Sequence, residues 1–163
     1  MYRLIALLLL SACVAAPKTV VVGRYRAPDA PMYSNAVMDQ NRLVGTWSQV
    51  AAFGGEGCKP GSAEISQGAG GLQIRYRLCE SGVQMAGTGA MQSETVGRFA
   101  VPGQPGPWWI LWADGDYRTL VVGSPNGRLG FILNRGAFPS DRLKAARDIF
   151  EWNGYDLRRL VVY

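Results

Sequence analysis

From position 46 onward the chain is a series of short apolar runs cut by Gly, Pro, Asn or Asp. The runs at 46–53, 63–66, 72–79, 83–91, 95–101, 108–113, 117–123, 129–134 and 156–162 read as strands. Many short strands with regular turn signals predict an antiparallel sandwich or barrel. Alternation adds detail. Leu72, Ile74, Tyr76 and Leu78 face one way while Arg75 and Arg77 face the other, as expected of a sheet with one wet face. Trp108-Trp109-Ile110-Leu111-Trp112 is apolar on both faces, so that strand must be covered on both. A helical period occurs at one place. Leu143, Ala146, Ile149 and Phe150 share a face, with Ser140 as a candidate cap and Asn153-Gly154 as the stop.

The first 40 residues do not follow this pattern. Arg3 precedes an apolar run, 4–10, that is too short to span a bilayer, which takes about 20 apolar residues. It reads as a signal-peptide core. Leu10-Ser11-Ala12-Cys13 resembles the bacterial lipobox, in which the Cys becomes the acylated first residue of the mature chain. Val14 in the next position suggests sorting to the outer membrane, facing the periplasm. Residues 14–40 are rich in Ala and Pro and read as a tether. The expected organisation is therefore a signal peptide at 1–12, a lipidated Cys13 and flexible tether at 13–40, and one folded domain at 41–163. A domain of that size has enough chain to bury a core.

Composition narrows the function classes. The net charge is +5, but the cations are scattered and form no basic stripe with interleaved aromatics, so nucleic acid is not an expected partner. There is no His, and of three Cys two remain after acylation of Cys13. That excludes an ordinary structural zinc set and the usual general base. Cys58 and Cys79 lie nearly equidistant from the turn-like Gln67-Gly68-Ala69-Gly70-Gly71. A hairpin there brings them near one another, and an oxidising compartment preserves the Cys58–Cys79 disulfide. No nucleophile elbow or phosphate loop is present. Asp114 and Asp116 read as turn formers. No catalysis, metal or cofactor is expected.

Asn41-Arg42-Leu43-Val44-Gly45-Thr46-Trp47 resembles the first signature of the lipocalins, small calyx barrels that carry apolar molecules. Asp116-Tyr117, within Ala113-Asp114-Gly115-Asp116-Tyr117-Arg118, resembles the second, and Phe131-Ile132-Leu133-Asn134-Arg135 the third. Together with the lipobox these place the likeness with the bacterial outer-membrane lipoprotein lipocalins, over most of residues 41–162. It is weakest between Gly54 and Ala90. The resemblance implies an all-β, eight-stranded antiparallel up-and-down calyx barrel, one C-terminal helix and a short final strand. It implies that Arg135 stacks on Trp47 beside Gly45 to close the base, and that Trp108, Ile110, Trp112, Val121, Leu129, Phe131 and Leu133 point inward. Ile74 and Tyr76 join them by their own alternation. Apolar inward residues suit a dry core and a ligand cavity alike; the resemblance favours the cavity.

The resemblance thus implies a membrane-anchored carrier of fatty acids, lysophospholipids or similar apolar molecules, acting in envelope maintenance or stress. Tyr76 is placed to orient a head group. The alternative is a protein-binding envelope lipoprotein with a filled barrel, such as a lysozyme-inhibitor-like protein. One enzymatic variant of the family uses a reactive barrel Cys; a Cys58–Cys79 disulfide excludes that use of Cys79.

Overall fold

The computed structural model describes residues 24–163; the expected signal peptide, Cys13 and the first part of the expected tether lie outside the described residues. The chain forms β1 (Gly45–Phe53), β2 (Ser62–Gly68), β3 (Gly71–Glu80), β4 (Val83–Ala90), β5 (Gln92–Thr95), β6 (Arg98–Ala100), β7 (Trp108–Ala113), β8 (Thr119–Gly123), β9 (Gly130–Asn134), α1 (Ser140–Trp152) and β10 (Leu160–Val162). All strand pairings are antiparallel, in the order β4-β3-β2-β1-β9-β8-β7-β6-β5. Only Met91 separates β4 from β5. The first pairs with β3 and the second with β6, so together they form one bent strand that passes the sheet from one neighbour to the next. Counted this way eight strands circle a nearly closed barrel, and β10 lies beside β1 where β2 has ended.

The barrel has two distinct ends. β1 begins at the base, where Gln40–Leu43 forms a 3-10 turn beneath it, and rises to Phe53. The loops at 54–61, 81–82, 101–107 and 124–129 consequently share the opposite end, the mouth. The inner cluster contains Trp47, Ile74, Tyr76, Leu78, Phe99, Trp108, Ile110, Leu120, Val122, Phe131 and Leu133. A second cluster lies between the outer wall and α1. There Ala146 and Phe150 cover Ala51, Phe53, Val121 and Ile132, and Phe150 meets Phe53 edge-on at 4.9 Å. This second layer covers the other apolar face of β7.

Several boundaries differ from the sequence reading, each for a local reason. The run 95–101 is a hairpin rather than one strand, because Gly97 takes a φ of 74° between β5 and β6. β8 starts at Thr119 because Tyr117 adopts a left-handed φ of 55°. The final strand shortens because Leu157–Arg159 winds into a 3-10 turn capped by Asp156. Ser140 opens α1 but makes no cap hydrogen bond; Pro139 holds the cap position. Residues 24–39 do not hang free. Tyr25 and Arg26 are buried, Arg26 bridges Tyr155, and the Asn35 amide donates to the Ile110 carbonyl at 2.7 Å. This segment is a strap running down the outer wall from the mouth to the base.

Candidate functional site

The base is closed by a small set of mutually dependent contacts. Trp47 is fully buried, and its Nε1 donates to the Leu43 carbonyl at 2.8 Å. The Arg135 guanidinium lies 3.7 Å from the indole centroid. It donates to the Val44 and Arg42 carbonyls at 3.0 and 2.7 Å. A planar cation over a buried indole gains cation–π energy, and the carbonyls fix its plane. Gly45, at a φ of 132°, gives it room: a side chain there would press on Arg135 Nη1. Burial and the neighbouring Arg42 lower the Arg135 pKa from its ordinary value. Tyr117 clamps the strap, its hydroxyl accepting from the Asp39 amide at 2.7 Å and its ring lying under Arg42. Asp114 accepts from the Arg118 and Thr119 amides, and Asp116 pairs with Arg118 at 2.6 Å. These are turn-building roles.

Above the base the inner wall is almost wholly apolar. Of the residues expected there, Ile74, Tyr76, Trp108, Ile110, Leu129, Phe131 and Leu133 lie in the inner cluster. Trp112 and Val121 do not; both pack in the outer cluster towards α1. A β-bulge between Ile110 and Trp112 reverses the parity of β7, so Trp112 turns outward and Ala113 inward. In β8 the inward positions are Leu120 and Val122, one step from the expected Val121. The inward side chains leave little free surface: Ile74, Tyr76, Trp108, Ile110, Phe131 and Leu133 are each 3% exposed or less. Trp108 is the hub, with ring centroids 5.6 Å from Tyr76 and 5.0 Å from Phe131. In this form the interior is occupied by its own rings.

One polar atom on this wall has no partner. Trp108 Nε1 is buried and donates to nothing among the described residues. A buried donor without an acceptor costs about 1–3 kcal/mol and calls for an explanation. The Tyr76 hydroxyl, by contrast, donates to the Pro102 carbonyl at 2.7 Å.

That bond belongs to the loop that closes the mouth. β4 lines its part of the wall with Gly87 and Gly89, the register partners of inward-facing Tyr76 and Ile74. Residues 101–107 settle into the space those glycines leave; a side chain on Gly87 would collide with the Pro102 carbonyl and the Tyr76 ring, and one on Gly89 would press on the Pro102 ring. The loop is held a second time at Gln104, whose Nε2 donates to Glu80 Oε1 at 3.0 Å. Glu80, at the top of β3, is 6% exposed. Burial pushes its carboxyl up to about 7, and the Gln104 hydrogen bond offsets only part of that effect. Gln104 Oε1 is itself buried and has no partner among the described residues.

The disulfide joins Cys58 to Cys79 across a Cα separation of 5.5 Å, tying the loop after β1 to the top of β3. Gln49 reinforces this corner. Its side chain accepts from the Cys79 and Gly61 amides and donates to the Cys79 carbonyl. Glu80, Gln104 and Gln49 were not singled out by the sequence pattern. Gln49 had a usable signal, a polar residue at an inward position two after Trp47. Glu80 and Gln104 had none, since each is a polar residue beside a turn until the loop folds over.

Comparison with known proteins supports the same architecture. The family model of the lipocalin-like domain matches residues 38–163. No curated protein matches the sequence. Among solved structures, lobster apocrustacyanin A1 shares 18% identity over 82% of this chain and 88% of its own, with a TM-score of 0.57. The allergen Per a 4 from cockroaches shares 15% over 83% and 94%, also with a TM-score of 0.57. The siderocalin Ex-FABP, described as functioning through dual ligand specificities, shares 15% over 74% and 93%, with a TM-score of 0.54. At these identities the likeness is one of fold.

Proposed function

The chain belongs to the lipocalin-like domain family, whose fold is typical of small hydrophobic ligand binding, and from that premise we propose that it carries an apolar lipid such as a fatty acid or lysophospholipid. The observation that carries this reading is the unpartnered Trp108 Nε1 on an otherwise apolar inner wall. A ligand bearing one carbonyl, carboxylate or phosphate oxygen beside an acyl chain satisfies that donor and buries its tail against Ile74, Ile110 and Phe131. Each buried methylene contributes about 0.8 kcal/mol. Entry requires the 101–107 loop to lift from Gly87 and Gly89, which frees the Tyr76 hydroxyl as a second head-group contact. Binding rests on burial and hydrogen bonding, with no catalytic step. Acylated Cys13 holds the carrier on the bacterial outer membrane, facing the periplasm, in envelope maintenance or stress.

The filled interior favours one second reading, a protein-binding envelope lipoprotein that uses its loops and keeps the barrel shut. Native mass spectrometry of the purified protein and titration with a fluorescent fatty acid separate the two. Co-purified lipid, or a probe that binds and quenches tryptophan emission, supports the carrier. A barrel that stays empty and never takes up the probe rejects it.

A further inference from the structure

The strap enters the described fold at the mouth. The Tyr25 amide donates to the Gly127 carbonyl at 2.7 Å, in the loop between β8 and β9, and the Tyr25 carbonyl accepts from the Asp156 amide at 2.8 Å. Arg26 fixes the entry point. Its guanidinium donates to the Asn153 and Pro125 carbonyls at 3.0 Å and to the Ala30 carbonyl. Ten residues separate Cys13 from Arg24. Fully extended, that length reaches about 35–40 Å. A strand such as β1 is about 30 Å long at about 3.3 Å per residue, and a tilt of about 35–45° makes the barrel wall about 20–25 Å tall. An anchor leaving the mouth rim therefore reaches a bilayer easily on the mouth side. To seat the base on the bilayer it would have to double back along the barrel wall and spend more than half of that reach.

Charge and aromatic exposure point the same way. Arg24, Lys59, Arg128, Arg158 and Arg159 are exposed at or beside the mouth loops. Glu56, Asp156 and the buried Glu80 oppose them there, Asp156 paired with Arg158 at 2.8 Å and Glu80 held by Gln104, while Asp29 and Glu151 lie on the outer flank beside the end of α1. At the base, Asp39, Glu94, Asp114, Asp116 and Asp141 balance Arg42, Arg118, Arg135 and Arg142, and Arg135 and Arg142 are spent on backbone carbonyls and neighbouring polar side chains. Trp152, at the mouth-side end of α1, is 76% exposed. An exposed indole suits the headgroup layer of a membrane, and basic residues are drawn to an anionic lipid surface.

We propose that the mouth rim, with Lys59, Arg128 and Trp152, is a docking surface for an anionic phospholipid bilayer, so that the 101–107 loop opens at the lipid–water boundary. This rests on the reading of Cys13 as the membrane anchor. The test is amide hydrogen exchange on the acylated full chain, in vesicles of phosphatidylcholine alone and with a quarter phosphatidylglycerol. The expected result is exchange slowed several-fold at 55–61 and 124–129 in the anionic vesicles, with 114–118 exchanging as in solution. Lys59→Glu with Arg128→Glu removes the slowing. Protection at 114–118, or equal protection in both vesicles, overturns the proposal. The mass of the Cys13 peptide checks the anchor separately. If that Cys carries no acyl group, the Cys13→Ser chain decides: co-sedimentation with phosphatidylglycerol vesicles that the double charge reversal abolishes sustains the rim, and no co-sedimentation rejects it.

Discussion

Replacing Glu80 by Gln isolates the energetics of the mouth loop. Gln104 Nε2 donates to one carboxyl oxygen of Glu80, and Gln104 Oε1 has no donor among the described residues. A protonated Glu80 supplies that donor, and acid and amide then close a two-bond ring. An ionised Glu80 cannot, and it leaves a charge in a site that is nearly sealed from water. The carboxyl moves from 4.5 to about 7 on folding, which corresponds to about 3 kcal/mol. The sign follows from proton uptake. Between those two values the folded chain holds more protons than the unfolded one, so stability falls as pH rises from about 4.5 and the loss is complete above about 7. Asp156, held at about 2 by Arg158, works in the opposite sense and only below its ordinary range, so the windows do not overlap. In Glu80→Gln the introduced amide keeps the ring and never ionises. Urea unfolding at pH 5 and pH 8 measures the effect. The wild type loses up to about 3 kcal/mol between these pH values, whereas the variant loses far less and is the more stable of the two at pH 8. A variant with the same pH slope as the wild type, or one weaker than it at pH 8, refutes the acid–amide ring.

Other outcomes follow from the same contacts. Trp47→Ala removes the buried indole under Arg135 and costs about 3–5 kcal/mol by thermal or urea unfolding; an unchanged melting temperature contradicts the closed base. Replacing Cys58 and Cys79 together by Ala opens a link across 21 positions and costs about 3 kcal/mol on the loop-entropy estimate, read as a lower urea midpoint. Gly87→Val drives the mouth loop off its seat, so amides at 101–107 exchange faster while those at 114–118 do not change. Trp108→Phe keeps a ring in the wall but removes the unpartnered N–H, and weakens fatty-acid probe binding about five-fold, for a hydrogen bond of about 1 kcal/mol; equal affinity would show that the donor does not meet the ligand.

The base of the barrel was legible because its chemistry is local in sequence. Gly45, Trp47, Asp116, Tyr117 and Arg135 sit in short motifs whose residue types match their roles. The disulfide was legible because the turn between Cys58 and Cys79 is marked by glycines. Period alone could not place Trp112, because a bulge inserts one residue into β7 and nothing in five consecutive apolar residues marks where. The mouth was least legible. Its contacts join Glu80 to Gln104 and Tyr76 to Pro102, more than twenty positions apart, and they exist only once a proline-rich loop has found two glycines on another strand. The strap was hidden by its composition: prolines argued against helix and strand correctly, yet Arg26 and Tyr25 bury it without either.

The bent strand formed by β4 and β5 has a mechanical consequence. Around most of the ring, neighbouring strands are laced by ladder hydrogen bonds, and widening the ring there means breaking them. Between β4 and β6 the ring is joined instead through the peptide backbone at Met91, and the opening above that joint is filled by a loop resting on glycines. The circumference can therefore grow at this one place without unlacing any ladder. The barrel has an expansion joint, and the room it makes for a guest is set by how far that joint spreads rather than by the volume enclosed while it is shut.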